Sequence, residues 1–584
     1  MENLITPKLL NAEKIGELIV RRYAFKQKVS GFFYARLSQE GKIKITYGPY
    51  DFCKNYSMNF TSSNGEINCD DILSFQYLDI ETAKGVEVLS VGIIDATYPY
   101  KRTGFFESDD ALLNKIWEVG AYTVKLCTHR HRYSSPHRFT LPKEFNDFIA
   151  SWDSEYGDFV IFDGPRRDRE CWIGDIRTEA LAVYSAFSDL NPVKASLQVF
   201  SDLQRNDGLI PGSGATRQPF LEYNFWWVIS VYECYLYSND EEFLRKTYPH
   251  LLRFFEYVLK NSLPNGLMEN DNSWMWTFVR VGKVGSAQCA LYEALKSLSL
   301  CAKIMSDDKT YRLATEQAEK VKKAINENYW NEEKGIYDDK INFYTPTLPS
   351  FLDFNCFAID FGIADTRQSE RILDYLKKYH HSPYGSTTTD IELTEVALTE
   401  KSSGVIADMA KDYDEPNEYL IKLMYPHNKK IWPFVVAYEV EARFLYGDDE
   451  GAFDLIKKCW GAMLSQNATT FWEMLAPSSP SYPAVSLSYG ATLDGMNSAC
   501  HGWSGWITHL LSKFALGVKP ITAGFKTFAV NPRLYKIKNL RGAVPTPYGA
   551  IEIAISGKNI TVTYPKELTL IQKSDDFVYT EITK

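Results

Sequence analysis

Between Asp163 and Glu179 the chain reads Asp-Gly-Pro-Arg-Arg-Asp-Arg-Glu-Cys-Trp-Ile-Gly-Asp-Ile-Arg-Thr-Glu, gathering Asp163, Asp168, Glu170 and Asp175 with Arg166, Arg167 and Arg169 around Trp172. Carboxyl groups this dense suit proton transfer, because one held protonated can donate while another held ionised accepts. Neighbouring carboxylates would raise the pKa of an acid here, and arginines pointing inward would lower it. A second group lies far along the chain: Thr469-Thr-Phe-Trp-Glu473, then Ser498-Ala-Cys-His501-Gly-Trp503-Ser-Gly-Trp506. One carboxylate beside Trp472, with His501 and two further tryptophans behind it, suits a wall of a carbohydrate pocket. Sugars offer CH faces to aromatic rings and hydroxyls to carboxylates.

The elements that position these residues follow from local patterns. Gly164-Pro165 excludes a helix at the front of the first stretch. After Gly174 good helix formers follow Asp175, which is placed to cap a helix, so a loop delivers carboxylates onto a helix N-terminus. Helical patterns recur at 176–188, 192–204, 222–238, 241–260, 285–306, 308–329, 430–446 and 449–465. Several second members open at acidic clusters, as in Ser238-Asn-Asp-Glu-Glu, which predicts a chain of helical hairpins. The aromatic-rich stretches Asn265 to Gly285 and Gln466 to Asn497 read as long loops, the usual carriers of function. Residues up to about 104 read as β, with strands at Phe32–Ser38 and Lys42–Tyr47 around Gln39-Glu40-Gly41 and another at Val86–Ile94. From Asp109 the period is helical, with a stripe of Leu112, Ile116, Val119, Thr123 and Leu126. After Leu516 the chain returns to β: residues 551–555 and 560–564 alternate about the turn Gly557-Lys558-Asn559, and a terminal β-sandwich is expected.

At 584 residues the chain predicts two or three packed domains. The 64 Lys and Arg against 74 Asp and Glu, net −10, argue against a nucleic-acid partner. The 13 Trp, 37 Tyr and 34 Phe serve either large cores or sugar-stacking surfaces. No apolar run approaches the ~20 residues of a membrane span and the first residues lack a signal-peptide pattern, so a cytoplasmic protein with no membrane partner is expected. Ten cysteines without a C-x-x-C read as buried thiols. His129, His131 and His137 have no acidic or cysteine partner to complete a ligand set; they read as a positively charged loop, and no metal or cofactor is expected. Trp172, Trp226, Trp227, Trp276, Trp503 and Trp506 are individually core residues by type, of which two or three are expected to line a pocket.

The segment 163–175 resembles the Asp-[Cys/Gly]-Pro-x-Arg-[Asp/Glu]-Arg…Trp-x-Gly-Asp signature of the α-L-rhamnosidases of glycoside hydrolase family 78. Thr469–Glu473, His501-Gly-Trp-Ser and Gly517-Val-Lys-Pro followed by Gly524-Phe are similar to that family's later landmarks, in the same order. The resemblance implies a mainly α protein, an (α/α)6 six-hairpin barrel at 105–515 between β-sandwich domains at 1–104 and 516–584. It implies hydrolysis of terminal α-L-rhamnosyl groups with inversion, and the expected cytoplasmic location makes small glycosides the expected substrates. Asp168 falls at the family's general acid, Glu473 at its general base, and Asp163 and Asp175 on acids that hold sugar hydroxyls. Beside this, a salt bridge of Asp168 to an arginine would leave Glu170 or Asp163 as the acid, and Arg167, Trp172, Trp226, Trp276, His501 and Trp503 are further candidates for substrate binding. Two departures stand out. Asp168 takes a position where many members have glutamate, and Trp274-Met-Trp276-Thr-Phe-Val-Arg280 lacks the aspartate many relatives place beside a tryptophan. Another (α/α)6 hydrolase taking a different deoxy sugar or a uronide, or a catalytically silent sugar-binding relative, therefore stays open, as does a homodimer.

Overall fold

The computed structural model describes all residues except 1–2, 55, 135–142, 167–168, 215–218, 276–277, 342, 345–348, 392–396, 399–428 and 482–496, with backbone alone for a few residues flanking them. The first part of the chain is a seven-stranded sheet. Its longest strand, Leu18–Leu37, runs 20 residues, and register shifts between Ala24 and Val29 and between Phe32 and Tyr34 interrupt it. Such bulges bend a strand and tighten its twist. Strands occur where alternation predicted them, yet Leu18–Leu37 and Lys42–Gly48 do not form a hairpin. The latter pairs with Glu66–Ala83 and Tyr56–Thr61 instead. Phe33, Ile45, Phe75, Ile80 and Ile93 form this sheet's own core, separate from that of the rest of the chain.

The helices are α1 Ala111–Cys127, α2 Lys143–Ser151, α3 Ile173–Ala186, α4 Asn191–Asp202, α5 Leu221–Ser238, α6 Glu241–Asn261, α7 Gly285–Ile304, α8 Asp308–Tyr329, α9 Leu352–Asp360, α10 Thr366–Tyr379, α11 Pro433–Leu445, α12 Asp449–Ser465 and α13 Ile507–Leu510. A 3₁₀ turn at Gly502–Trp506 leads into α13, and a π turn at Leu511–Ala515 follows it. The pattern-based helix at 176–188 in fact begins at Ile173, so Asp175 lies inside the first turn and does not cap it. The aromatic stretch 265–285, read as a loop, carries an antiparallel pair of strands, Asn270–Met275 and Phe278–Lys283.

Residues α3, α5, α7, α9, α11 and the 502–510 segment pack neighbour to neighbour, and 502–510 packs back onto α3, closing a ring. These helices are buried almost all round, as a hydrophobic-all-round sequence requires. The helices between them are amphipathic: α6, α8 and α10 each keep a solvent face. Because each of these returns the chain, the N-terminal ends of the ring helices share one end.

Helix α1 packs outside the closing segment. Asp110 starts it by accepting from the Leu112 and Leu113 N–H groups. That start sets the phase: Leu113, Ile116, Trp117, Gly120 and Val124 are buried, whereas Leu112, expected on the stripe, is 36% exposed. Backbones cross closely at two facing glycines. A Cβ on Gly505 would lie 2.6 Å from Val124 Cγ2 and 2.7 Å from the Gly120 carbonyl oxygen.

The C-terminal part holds a three-stranded and a five-stranded sheet. The alternating runs at 551–555 and 560–564 pair as an antiparallel hairpin through Ser556 and Asn559, with Gly557 at φ +58, a left-handed value that glycine adopts at little cost. The edge of the larger sheet is Phe105–Ser108, which pairs with Asn539–Thr546. Gly505→Ala should overpack the α1 crossing and cost about 1–3 kcal/mol; the measurement is the unfolding midpoint in urea, where an unchanged midpoint would deny the close approach.

Candidate active site

The acid-rich stretch folds as a closed loop standing on α3. The Asp163 N–H donates to the Glu170 carbonyl (2.9 Å), and the Glu170 N–H donates to Asp163 Oδ1 (2.9 Å). Asp163 thus fastens the two ends of the loop that contains Arg167 and Asp168, which lie outside the described residues. Arg169, at φ +55, turns outward: its guanidinium donates to the Ile72 carbonyl (3.0 Å) and pairs with Asp71 (2.9 Å), both on the N-terminal sheet. Arg166 lies over the ring of Tyr56 on the same sheet. Two of the three arginines are therefore directed toward the N-terminal sheet. Glu170 is wholly buried.

The second wall is built where residues 470–473 run beside 498–501. The Glu473 N–H donates to the Ser498 carbonyl (2.9 Å), the Ser498 N–H donates to Glu473 Oε2 (3.2 Å), and the His501 N–H donates to the Phe471 carbonyl (2.9 Å). A hydrogen bond to a carboxylate oxygen favours its ionised form. Trp503 Nε1 donates to the Glu473 carbonyl (3.4 Å), and its ring stands 4.2 Å from that of His501. Trp472 donates to Tyr50 Oη (2.9 Å), in the connection that follows the strand Lys42–Gly48.

The two walls meet at Gly502. Its N–H donates to the Asp163 carbonyl (2.6 Å), while His501 Nε2 stands 3.4 Å from Asp175 Oδ1. A Cβ at 502 would overlap the Glu179 carboxyl group, so a larger residue there would have to displace that side chain. Asp163, Asp175, Glu473, His501 and Trp503, named from sequence, are thus brought to one place. Trp172 is half-buried beside Phe220 and Tyr223. Trp226 lies deeper, fully buried against Phe357 and Tyr438. Trp276 lies outside the described residues. Beneath the site Arg177 makes a two-pronged pair with Glu233 (2.9 and 3.1 Å) and donates to Tyr438 Oη (2.9 Å), within 5.8 Å of the Trp226, Tyr438 and Trp506 rings.

Sequence reasoning missed several carboxyl groups. Glu179 follows Asp175 by one helical turn, a spacing that puts both on one face of α3. It is fully buried, and burial, then Asp175 and Asp163, push its pKa well above the usual carboxylate range. Glu222 and Asp353 sit in the first turns of α5 and α9, and Asp339 accepts from the Gly285 N–H at the start of α7 (2.8 Å). After burial itself, these three raise the Cys289 thiol. Acidic groups therefore recur at the N-terminal ends of the ring helices, where the helix dipole favours negative charge. For Glu222 and Asp353 the available signal was an acidic residue within the first turn of a mostly apolar helix.

Profiles of known families match two stretches: the bacterial alpha-L-rhamnosidase 6 hairpin glycosidase domain at residues 156–417 and the bacterial alpha-L-rhamnosidase C-terminal domain at 517–566. The alpha-L-rhamnosidase of Alteromonas sp. (strain LOR) is 22% identical over 436 residues, covering 70% of this chain and 40% of the relative. The chain thus spans about two-fifths of that curated relative. Among solved structures, the glycoside hydrolase family 78 rhamnosidase of Bacillus sp. GL1 is similar over 99% of this chain and 55% of its own, with TM-score 0.72 and 20% identity. A rhamnosidase from Klebsiella oxytoca with rhamnose bound is similar over 86% of this chain and 88% of its own, with TM-score 0.64 and 18% identity. Helical hairpins carrying paired acidic walls make the central region a six-hairpin glycosidase domain. The chain belongs to the bacterial α-L-rhamnosidase family of glycoside hydrolases.

The histidines correct the sequence reading. His129 and His131 are fully buried, and burial lowers both pKa values to about 4. They are neutral joints and not a positive loop: His129 bonds Ser30 Oγ (3.0 Å) on the N-terminal sheet, and His131 packs edge-on against Trp152. His137 lies outside the described residues. Between the unfolded value of 6.5 and about 4 the unfolded chain binds more protons, so stability falls as pH drops through that window. His131→Phe should flatten this fall by up to roughly 3 kcal/mol, the equivalent of its pKa displacement. Urea unfolding of both proteins at pH 7 and pH 4.5 checks it.

No helix among the described residues is long and apolar enough to cross a membrane, and all ten cysteines are free and buried.

Proposed function

We propose that the protein is an inverting exo-glycosidase that removes terminal α-L-rhamnosyl groups from small glycosides, working in an (α/α)6 barrel set between two β-sandwich domains. The observation that carries this is the junction at Gly502, whose N–H holds Asp163, at the start of the acid loop, beside the segment that positions Glu473. Asp168 protonates the departing glycosidic oxygen as the C1–O bond breaks. Glu473 takes a proton from a water that attacks C1 on the opposite face. Inversion needs the two carboxyl groups roughly 6.5–9.5 Å apart, leaving room for that water.

The surroundings support these roles. The Ser498 N–H on Glu473 Oε2 suits a group that must be ionised to act as base. The Arg169 charge is met by Asp71 on the N-terminal sheet, which lessens its tendency to lower the pKa of an acid in the loop. Asp163 and Asp175, steadied by Glu170 and His501, hold sugar hydroxyls with Arg167. Trp172, Trp276 and Trp503 give an apolar wall to the C6 methyl group of a deoxy sugar, with Trp226 behind them. The relative solved with rhamnose bound agrees with this glycone.

Nitrophenyl α-L-rhamnoside, α-L-fucoside, α-L-arabinoside, β-D-glucoside and β-D-glucuronide assayed side by side test the reading. Turnover of the rhamnoside alone is expected, with β-L-rhamnose as the first product by proton NMR. Asp168→Asn and Glu473→Gln should each lower kcat on the order of 10²- to 10⁴-fold. Turnover of another glycoside would reassign the glycone, and silence across the panel would leave a sugar-binding relative.

A further inference from the structure

We infer that Glu179 is a positioning residue that keeps a resident proton beneath the acid loop, so that it adds no charge of its own beside Asp163 and Asp175. The inference rests on the reading of Asp163 and Asp175 as sugar-holding groups. Glu179 is 0% exposed, and neither carboxyl oxygen has a hydrogen-bond partner among the described residues. The titratable groups facing it are Asp175 on its own helix, Asp163 on the acid loop, Cys127 at the end of α1, Cys171 before α3, and Tyr100. Gly502 covers it from the closing segment, beside His501 on Asp175. Neither lysine nor arginine is among these neighbours.

An unpaired carboxylate buried in such a place is strongly disfavoured, so the proton stays. Burial and the two aspartates act in the same direction. When rising pH removes that proton, a further negative charge enters beside Asp163 and Asp175. The repulsion falls on the same loop that the Gly502 N–H fastens, and the sugar-holding pair is pushed apart. Substrate binding weakens while the machinery of Asp168 and Glu473 is not directly touched.

Glu179→Gln keeps the shape without the charge at any pH, and Glu179→Met keeps neutrality if an amide is not tolerated. KM and kcat for nitrophenyl α-L-rhamnoside are measured from pH 5 to 9. Above the titration point the wild-type KM should rise toward about tenfold per pH unit, whereas the Gln variant stays flat with kcat close to wild type. Superimposable KM profiles, or a kcat lost equally at all pH values, would overturn the inference. A second arm needs no substrate. Above the unfolded value of 4.5 the unfolded chain releases the Glu179 proton and the folded chain keeps it, so wild-type stability should fall as pH rises. Both variants should lose that component of the melting-temperature slope. Equal slopes in wild type and Met variant sink the proposal, whereas an altered slope without rhamnoside turnover leaves it standing and removes the glycosidase reading instead.

Discussion

Closure of the helical ring hangs on one crowded seam. Gly502 must pass close enough to α3 for its N–H to reach the Asp163 carbonyl, and Glu179 occupies the space a side chain there would need. Fixing two segments so distant in sequence costs chain entropy that grows only slowly with loop length. The burial of α3, α5 and α11 along nearly their whole length offsets that cost. The seam therefore does two things with one contact: it completes the core, and it sets a carboxyl-bearing loop beside a carboxyl-bearing wall.

The N-terminal sheet shares in this arrangement. Asp71 and Ile72 hold Arg169 at one end of the acid loop. Tyr50 holds Trp472, next to Glu473, and Thr469 Oγ1 receives the Lys28 N–H (3.0 Å) and donates to Gln76 Oε1 (3.1 Å). The N-terminal part of the chain thus braces both walls from outside. Polar contacts to loops are individually worth about 1 kcal/mol, but they determine geometry where the loops themselves have little regular structure.

Local patterns made much of this legible. Gly164-Pro165 marked the acid loop as irregular, apolar periodicity located most of the helices, and the ordered motifs around Asp163, Glu473 and His501 indicated which distant segments belong together. What stayed hidden depends on tertiary packing. The capping bond from Asp110 fixes the phase of α1, so Leu113 and not Leu112 turns inward. Three histidines near three arginines look cationic on paper, yet burial of His129 and His131 decides their charge. Glu179 looked like an ordinary helix residue until the closing segment covered it.

One pairing bears on how the chain reaches this state during synthesis. Phe105–Ser108 lies at the edge of a sheet whose adjoining strand begins at Asn539, and the Glu107–Arg541 pair across it is 434 residues apart. At the ~5–20 residues per second of translation, the ribosome needs roughly 20 to 90 s to supply the partner. Through that interval Phe106, buried in the finished protein, has no strand to cover it, and for most of it the ring behind has not yet received residues 502–510. The early half of the chain therefore waits with an open edge, a state in which a chaperone that shields nascent apolar strands would be of most use.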